Sequence, residues 1–111
     1  MSHADDLVAR MRDRLIELGA ESLTEKRMFG GVGFMVHGNM ACGEHKGRVI
    51  VRVGSPDYEA LLALPGVSPF DITGRPMKGW VMVDGQVCDA DEDLAQWVER
   101  GLTYARTLPP K

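Results

Sequence analysis

The chain has 111 residues, 44% of them hydrophobic and 26% charged, with a formal net charge of −3. That length supports one buried core and not two, and the mixture is ordinary for a water-soluble globular chain. No stretch approaches the run of about 20 apolar residues that a membrane span requires, which excludes a helical membrane protein.

The start, Met1-Ser2-His3-Ala4-Asp5-Asp6, is acidic where a secretory leader is basic, and Cys42 and Cys88 stand alone and far apart. The expectation is a cytoplasmic protein with no disulfide framework and no membrane contact. Charge is unevenly spread: residues 1–23 sum to −2, residues 24–56 to +3 and residues 57–111 to −4. Affinity for duplex DNA grows with each phosphate neutralised, so a net acidic chain is expected to bind DNA weakly or not at all on its own.

In chain order, Leu7, Met11, Leu15 and Leu18 recur at helical spacing and predict a leading helix, with Ser2 and Asp5 as its capping pair and Gly19 as its stop. Lys26 to Phe29 should begin a sheet. Val32, Phe34 and Val36 alternate with Gly33, Met35 and His37, the period of a half-buried strand. Gly38-Asn39 reads as a two-residue hairpin turn, which would set Met35 opposite Cys42 and Val36 opposite Ala41. One face of that hairpin would then hold Phe34, Val36 and Ala41, and the other Met35, His37, Met40 and Cys42.

The next strand, Arg48 to Val53, has Val49, Val51 and Val53 on one side and Arg48, Ile50 and Arg52 on the other. A three-residue loop with Gly47 left-handed puts the valines with Phe34 and the arginines on the methionine face. Ser55-Pro56-Asp57 predicts a short helix capped by Ser55, burying Tyr58, Leu61, Leu62 and Leu64 before Pro65-Gly66. Phe70-Asp71-Ile72 reads as extended, Thr73-Gly74-Arg75-Pro76 as a turn and Trp80-Val81-Met82-Val83 as the last strand. Asp89, boxed with Glu92, should cap a closing helix whose core side is Leu94, Trp97, Val98, Leu102 and Ala105. The whole chain, residues 1–111, is thus expected to be one two-layer α+β domain, an antiparallel sheet with a leading helix, a short middle helix and a C-terminal helix.

Gly30, Gly31 and Gly33 invite a nucleotide-loop reading, but a phosphate cradle needs glycines between a strand and a helix N-terminus. Here they run into strand alternation, so close strand packing explains them better. Cys42 and His45, with His37 near, have neither the four ligands of zinc nor the orienting third group of a nucleophile pair. No metal, cofactor or catalytic residue is expected. Met28, Met35, Met40, Met77 and Met82 are numerous, and most should fill core space, as should Trp80. Met35 and Met40, however, share a face with Arg48 and Arg52, which is the composition of a protein-docking surface. Arg75 and Lys78 join it if the Trp80 strand packs beside that sheet.

Two blocks, Met28-Phe29-Gly30-Gly31-Val32-Gly33-Phe34-Met35 followed by Gly38-Asn39-Met40, and Arg75-Pro76-Met77-Lys78-Gly79-Trp80 downstream, carry a resemblance. With the order of helix, strands and closing helix, they resemble the N-terminal domain of the TfoX/Sxy family. The resemblance implies the same fold class and a bacterial regulatory domain with no enzymatic activity that docks on a protein partner such as the transcription machinery. Full-length members support competence transcription together with the cyclic-AMP receptor protein, whereas this sequence carries only the first domain. A small-molecule-binding or enzymatic domain, and a nucleic-acid accessory domain, are the alternatives.

Overall fold

A computed structural model describes residues 3–28, 30–71 and 77–110 of the chain. Helix α1 spans His3–Glu17, and its predicted stripe is inward: Leu7, Met11 and Leu15 are fully buried. Gly19, at φ +72°, ends it in the left-handed conformation. Ser2 lies outside the described residues. Helix α3 (Asp91–Ala105) buries Leu94, Trp97, Val98, Leu102 and Ala105, as expected, and Gly101 beside them. Helix α2 (Ser55–Leu62) is shorter and buries Tyr58 and Leu61.

Six strands form one antiparallel sheet: β1 (Leu23–Met28), β2 (Gly31–Val36), β3 (Asn39–His45), β4 (Arg48–Arg52), β5 (Val67–Pro69) and β6 (Trp80–Val83), in the order β1-β2-β3-β4-β6-β5. One core unites all three helices with Phe34, Val36, Ala41, Cys42, Val49, Val51, Val53, Val81 and Val83 from the inner side of the sheet. Each large apolar side chain fully buried there contributes about 1.5–3 kcal/mol. The fold class is therefore α+β in two layers, with the helices on one face of the sheet.

The turns differ from the expectation by one residue each. The β2–β3 hairpin turns at His37-Gly38, not Gly38-Asn39: φ is +51° and +81° there, and Val36 pairs with Asn39 and Met35 with Met40. Two successive positive φ values are the signature of a type I′ turn, whose twist suits the flanking strands. A bulge between Phe34 and Met35 then pairs Phe34 with Cys42, so Cys42 moves from the predicted methionine face into the core. The β3–β4 loop has two residues, Lys46-Gly47, with φ +50° and +80°, and sets His45 opposite Arg48. The valines of β4 do face Phe34, and Arg48, Ile50 and Arg52 face away.

Other boundaries shift for local reasons. Strand β1 begins at Leu23, which packs on the core opposite Val36. Strand β5 is Val67–Pro69, not the extended Phe70-Asp71-Ile72, because Val67 pairs with Val83 and Phe70 leaves the ladder. Ile72 and the predicted turn through Pro76 lie outside the described residues. Leu64 is exposed. Neither Ser55 nor Asp89 caps a helix: Gly54 and Ala90 hold those positions, without a side-chain cap bond. At α3 the acidic first turn Asp91, Glu92 and Asp93 complements the helix dipole. Arg10 reaches across from α1, donating from Nη2 to the carbonyls of Cys88 (2.9 Å) and Asp89 (3.1 Å) and from Nε to Asp91 Oδ1 (2.9 Å).

At the other end of α3, Arg106 donates from Nη2 to the Leu18 carbonyl and to Glu21, and Asn39 Nδ2 donates to the Pro109 carbonyl at 2.9 Å. These contacts fasten the last residues of the described chain to the end of the sheet where β2 turns into β3.

Candidate protein-docking face

Strand alternation gives the sheet an outer face that no helix residue covers among the described residues. It carries a second apolar cluster, with Ile50, Phe70 and Met82 buried and Met40 and Trp80 packed half-buried beside them. The cluster forms because Ile50 pairs with Met82 across β4 and β6, while Phe70, released from β5, folds its ring to 6.0 Å from the Trp80 centroid. Met35 and Met40 are direct cross-strand partners at one side of this cluster. Two of the residues predicted to form a docking surface thus lie together.

The cations divide into two kinds. Arg48 is exposed at the start of β4. Arg52, at its end, is only half-exposed: its guanidinium stands 5.0 Å from the Trp80 ring centroid and 5.7 Å from that of Tyr104 on α3. Lys78 is exposed just before Gly79 and Trp80, and Met77 beside it is 41% exposed. Arg75 lies outside the described residues. Trp80, expected in the core, sits on this outer face because it pairs with Arg52.

The alternation also exposes a residue that sequence reasoning passed over. Lys26 pairs with Gly33 on β1, the register position that looks outward alongside Thr24 and Met35. The missing signal was β1 itself, whose charged sequence Leu-Thr-Glu-Lys-Arg-Met shows no apolar alternation. Among the outward-facing strand positions, the charged residues are Lys26, Arg48 and Arg52. The carboxylates of the strands turn to the helix side: Glu25 is held by Arg12 of α1 through bonds of 2.7 and 2.9 Å, and buried Glu44 accepts the Gly47 N–H at 2.8 Å. The Arg12 bond holds the Glu25 carboxyl below its ordinary pKa. Asp71, just past β5, is exposed.

The glycine block has a structural explanation. Gly30, at φ +76°, lies between β1 and β2 and Gly31 opens β2, so the pair links two strands rather than a strand to a helix. A Cβ on Gly31 would overlap the Glu44 carbonyl, so only glycine lets β3 approach there. A groove of about 670 Å³ runs between α1 and this end of the sheet. Of its polar lining, Arg12 is engaged with Glu25 and Glu44 with the Gly47 amide, and Lys26, Arg27 and Lys46 line it as well. Burial pushes the Cys42 thiol up to about 12 and that of Cys88 to about 11, opposite to what a nucleophile needs. Among the described residues no group of three His, Cys, Asp or Glu side chains is placed to hold a metal ion.

A family model described as the TfoX N-terminal domain matches residues 14–105, from within α1 to the end of α3. The chain belongs to the TfoX N-terminal domain family. No curated protein and no solved structure matches it. In this TfoX N-terminal domain Met28 ends β1 and Gly31 opens β2, and Met77-Lys78-Gly79-Trp80 leads into β6 on the outer face. No helix among the described residues is long and apolar enough to cross a membrane.

Proposed function

We propose that this TfoX N-terminal domain is a regulatory interaction module that works by docking a protein on the outer face of its sheet, and not by catalysis. The observation that carries this reading is the second apolar cluster, Ile50, Phe70 and Met82 with Met40 and Trp80, on a face that no described helix covers. Ile50, Phe70 and Met82 are themselves buried, so what this face offers a partner is half-buried Met35, Met40 and Trp80 beside Arg52, a pliable methionine-rich patch of the kind that suits recognition. The raised thiol pKa values of two buried cysteines disfavour a cysteine nucleophile and so support docking over the alternative of a small-molecule enzyme. A role in bacterial transcription or competence, in the reducing cytoplasm, is the regulatory setting that the family membership suggests.

Site-specific photo-cross-linking in the native cell tests it. Benzoylphenylalanine in place of Thr24 on the outer face should yield discrete cross-linked species, and in place of Glu99 on α3 should not. Equal cross-linking from both positions, or none from Thr24, would move the function away from this face.

A further inference from the structure

Resting on that docking reading, we propose that the outer face recognises an acidic, amphipathic protein segment: a run of Asp or Glu flanking a few large apolar side chains. Three observations on the face point to this chemistry. The first is charge sorting. In a chain of net charge −3, the charged residues at the outward strand positions are Lys26, Arg48 and Arg52, and the strand carboxylates Glu25 and Glu44 face the helices. Sheet alternation alone would scatter both signs on both faces. The result is a positive surface on an acidic protein, which attracts acidic partners and repels basic ones.

The second observation is the spatial arrangement. Half-buried Met35 and Met40 pair at the end of the sheet where β2 turns into β3, and Arg52 and Trp80 pair across β4 and β6. Exposed Lys26 lies two residues along β1 from the partner of Met35, and exposed Arg48 stands at the opposite end of β4 from Arg52. A segment that sets apolar side chains against the methionines and carboxylates toward Lys26 and Arg48 matches that plan. Further along the same two strands Gly33 and Gly43 are cross-strand partners, and the Met40 side chain lies over Gly43, its Cε 2.8 Å from where a Cβ would stand.

The third observation separates protein from nucleic acid. An open sheet with cations and aromatics also resembles a platform for stacking unpaired bases. Here the aromatics are engaged: Phe70 is buried against Trp80, and Arg52 stands over the Trp80 ring. Half-buried Met35 and Met40, which carry no aromatic ring to stack on a base, are the apolar side chains left to adapt to a partner's.

The test is selection of a displayed library of random 12-residue peptides against the full chain, beside fluorescence titration of labelled single-stranded oligo(dT) at about 150 mM salt. Selected peptides should be enriched in Asp and Glu around Leu, Ile, Phe or Trp. Their binding to a Lys26→Glu, Arg48→Glu variant should fall at least tenfold while its thermal melt is unchanged. Methyl signals of Met35 and Met40 should shift on titration with the selected peptide. Enrichment of basic or purely apolar peptides, no enrichment at all, or peptide binding indifferent to the two reversals overturns the proposal, as does oligo(dT) binding more tightly than the peptides. If face-specific cross-linking from Thr24 succeeds while this selection fails, the docking reading stands and the acidic partner is wrong. If both fail, the face itself is wrong.

Discussion

The Arg52 guanidinium lies 5.0 Å from the centroid of Trp80, its own cross-strand partner, and 5.7 Å from Tyr104 at the end of α3. One cation therefore joins the two faces of the sheet. A charged group over an aromatic ring gains about 0.5–1 kcal/mol when exposed and about 2 when desolvated. Arg52→Ala should accordingly lower stability by about 1–2 kcal/mol, whereas Arg48→Ala, at an exposed strand position, should stay within about 0.5 kcal/mol. Urea denaturation of the two variants compares them directly, and coincident curves would mean that the Arg52 stack contributes nothing.

Gly30 and Gly31 are neighbours that need glycine for different reasons. Gly30 has open space around it but a φ of +76°, a conformation that asparagine also tolerates; Gly31 lacks room for any Cβ. Gly30→Asn should therefore cost no more than about 1 kcal/mol, and Gly31→Ala about 1–3 kcal/mol through forced separation of β2 and β3. Thermal melts would read the difference, and a Gly31→Ala variant as stable as the parent would refute the close strand approach.

The His37-Gly38 turn carries two left-handed residues, one of which is not glycine. Replacing Gly38 with valine should destabilise by about 1–3 kcal/mol, since a β-branched side chain resists positive φ. His37→Asn should move the other way by about 0.5 kcal/mol, because asparagine suits the first position of a type I′ turn. Same-sign changes in melting temperature for both variants would argue against this turn geometry.

The bond from Arg12 favours the ionised form of Glu25, so the folded carboxyl titrates below its ordinary value of 4.5. A depressed folded pKa means that the stabilisation is complete above 4.5 and is lost as pH falls through the folded pKa. With more than a third of each side chain exposed, its size is about 0–1 kcal/mol. Denaturation midpoints measured from pH 6 down to pH 3 should fall less steeply for Glu25→Gln than for the parent, and parallel slopes would remove the pair from the acid response.

Much of this architecture is legible before any coordinates. The stripes of α1 and α3, the inward valines of β4 and the Trp80 strand follow from periodicity, because each repeats over enough residues to outvote local exceptions. The errors cluster where a single residue decides. Reading Gly38 as the first turn position, when it is the second, shifted the hairpin by one residue, and the bulge at Phe34 then sent Cys42 to the core; a two-against-one pairing leaves no trace in composition. For the same reason Met35 and Met40 shared a face as expected, though the pairing that put them there was not foreseen. Trp80 and Arg52 were misjudged together. An aromatic in a four-residue strand looks like core until its partner is known, and an arginine looks like rim until an aromatic is found beneath it. Lys26 was missed because an edge strand made largely of charged residues has no apolar period, and such strands are charged for a reason: they discourage pairing with another sheet.

The bond from Asn39 to the Pro109 carbonyl gives the domain a mechanical character. Tension applied at the C-terminal end does not peel away an edge strand. It passes through Pro109 into the turn-side residue of β3, which is paired with Val36 at the inner hairpin, while α3 lies packed across β3 and β4 just behind it. A pull on this end is therefore shared between α3, which the chain enters directly, the β2–β3 hairpin through Asn39, and the α1–β1 connection through Arg106.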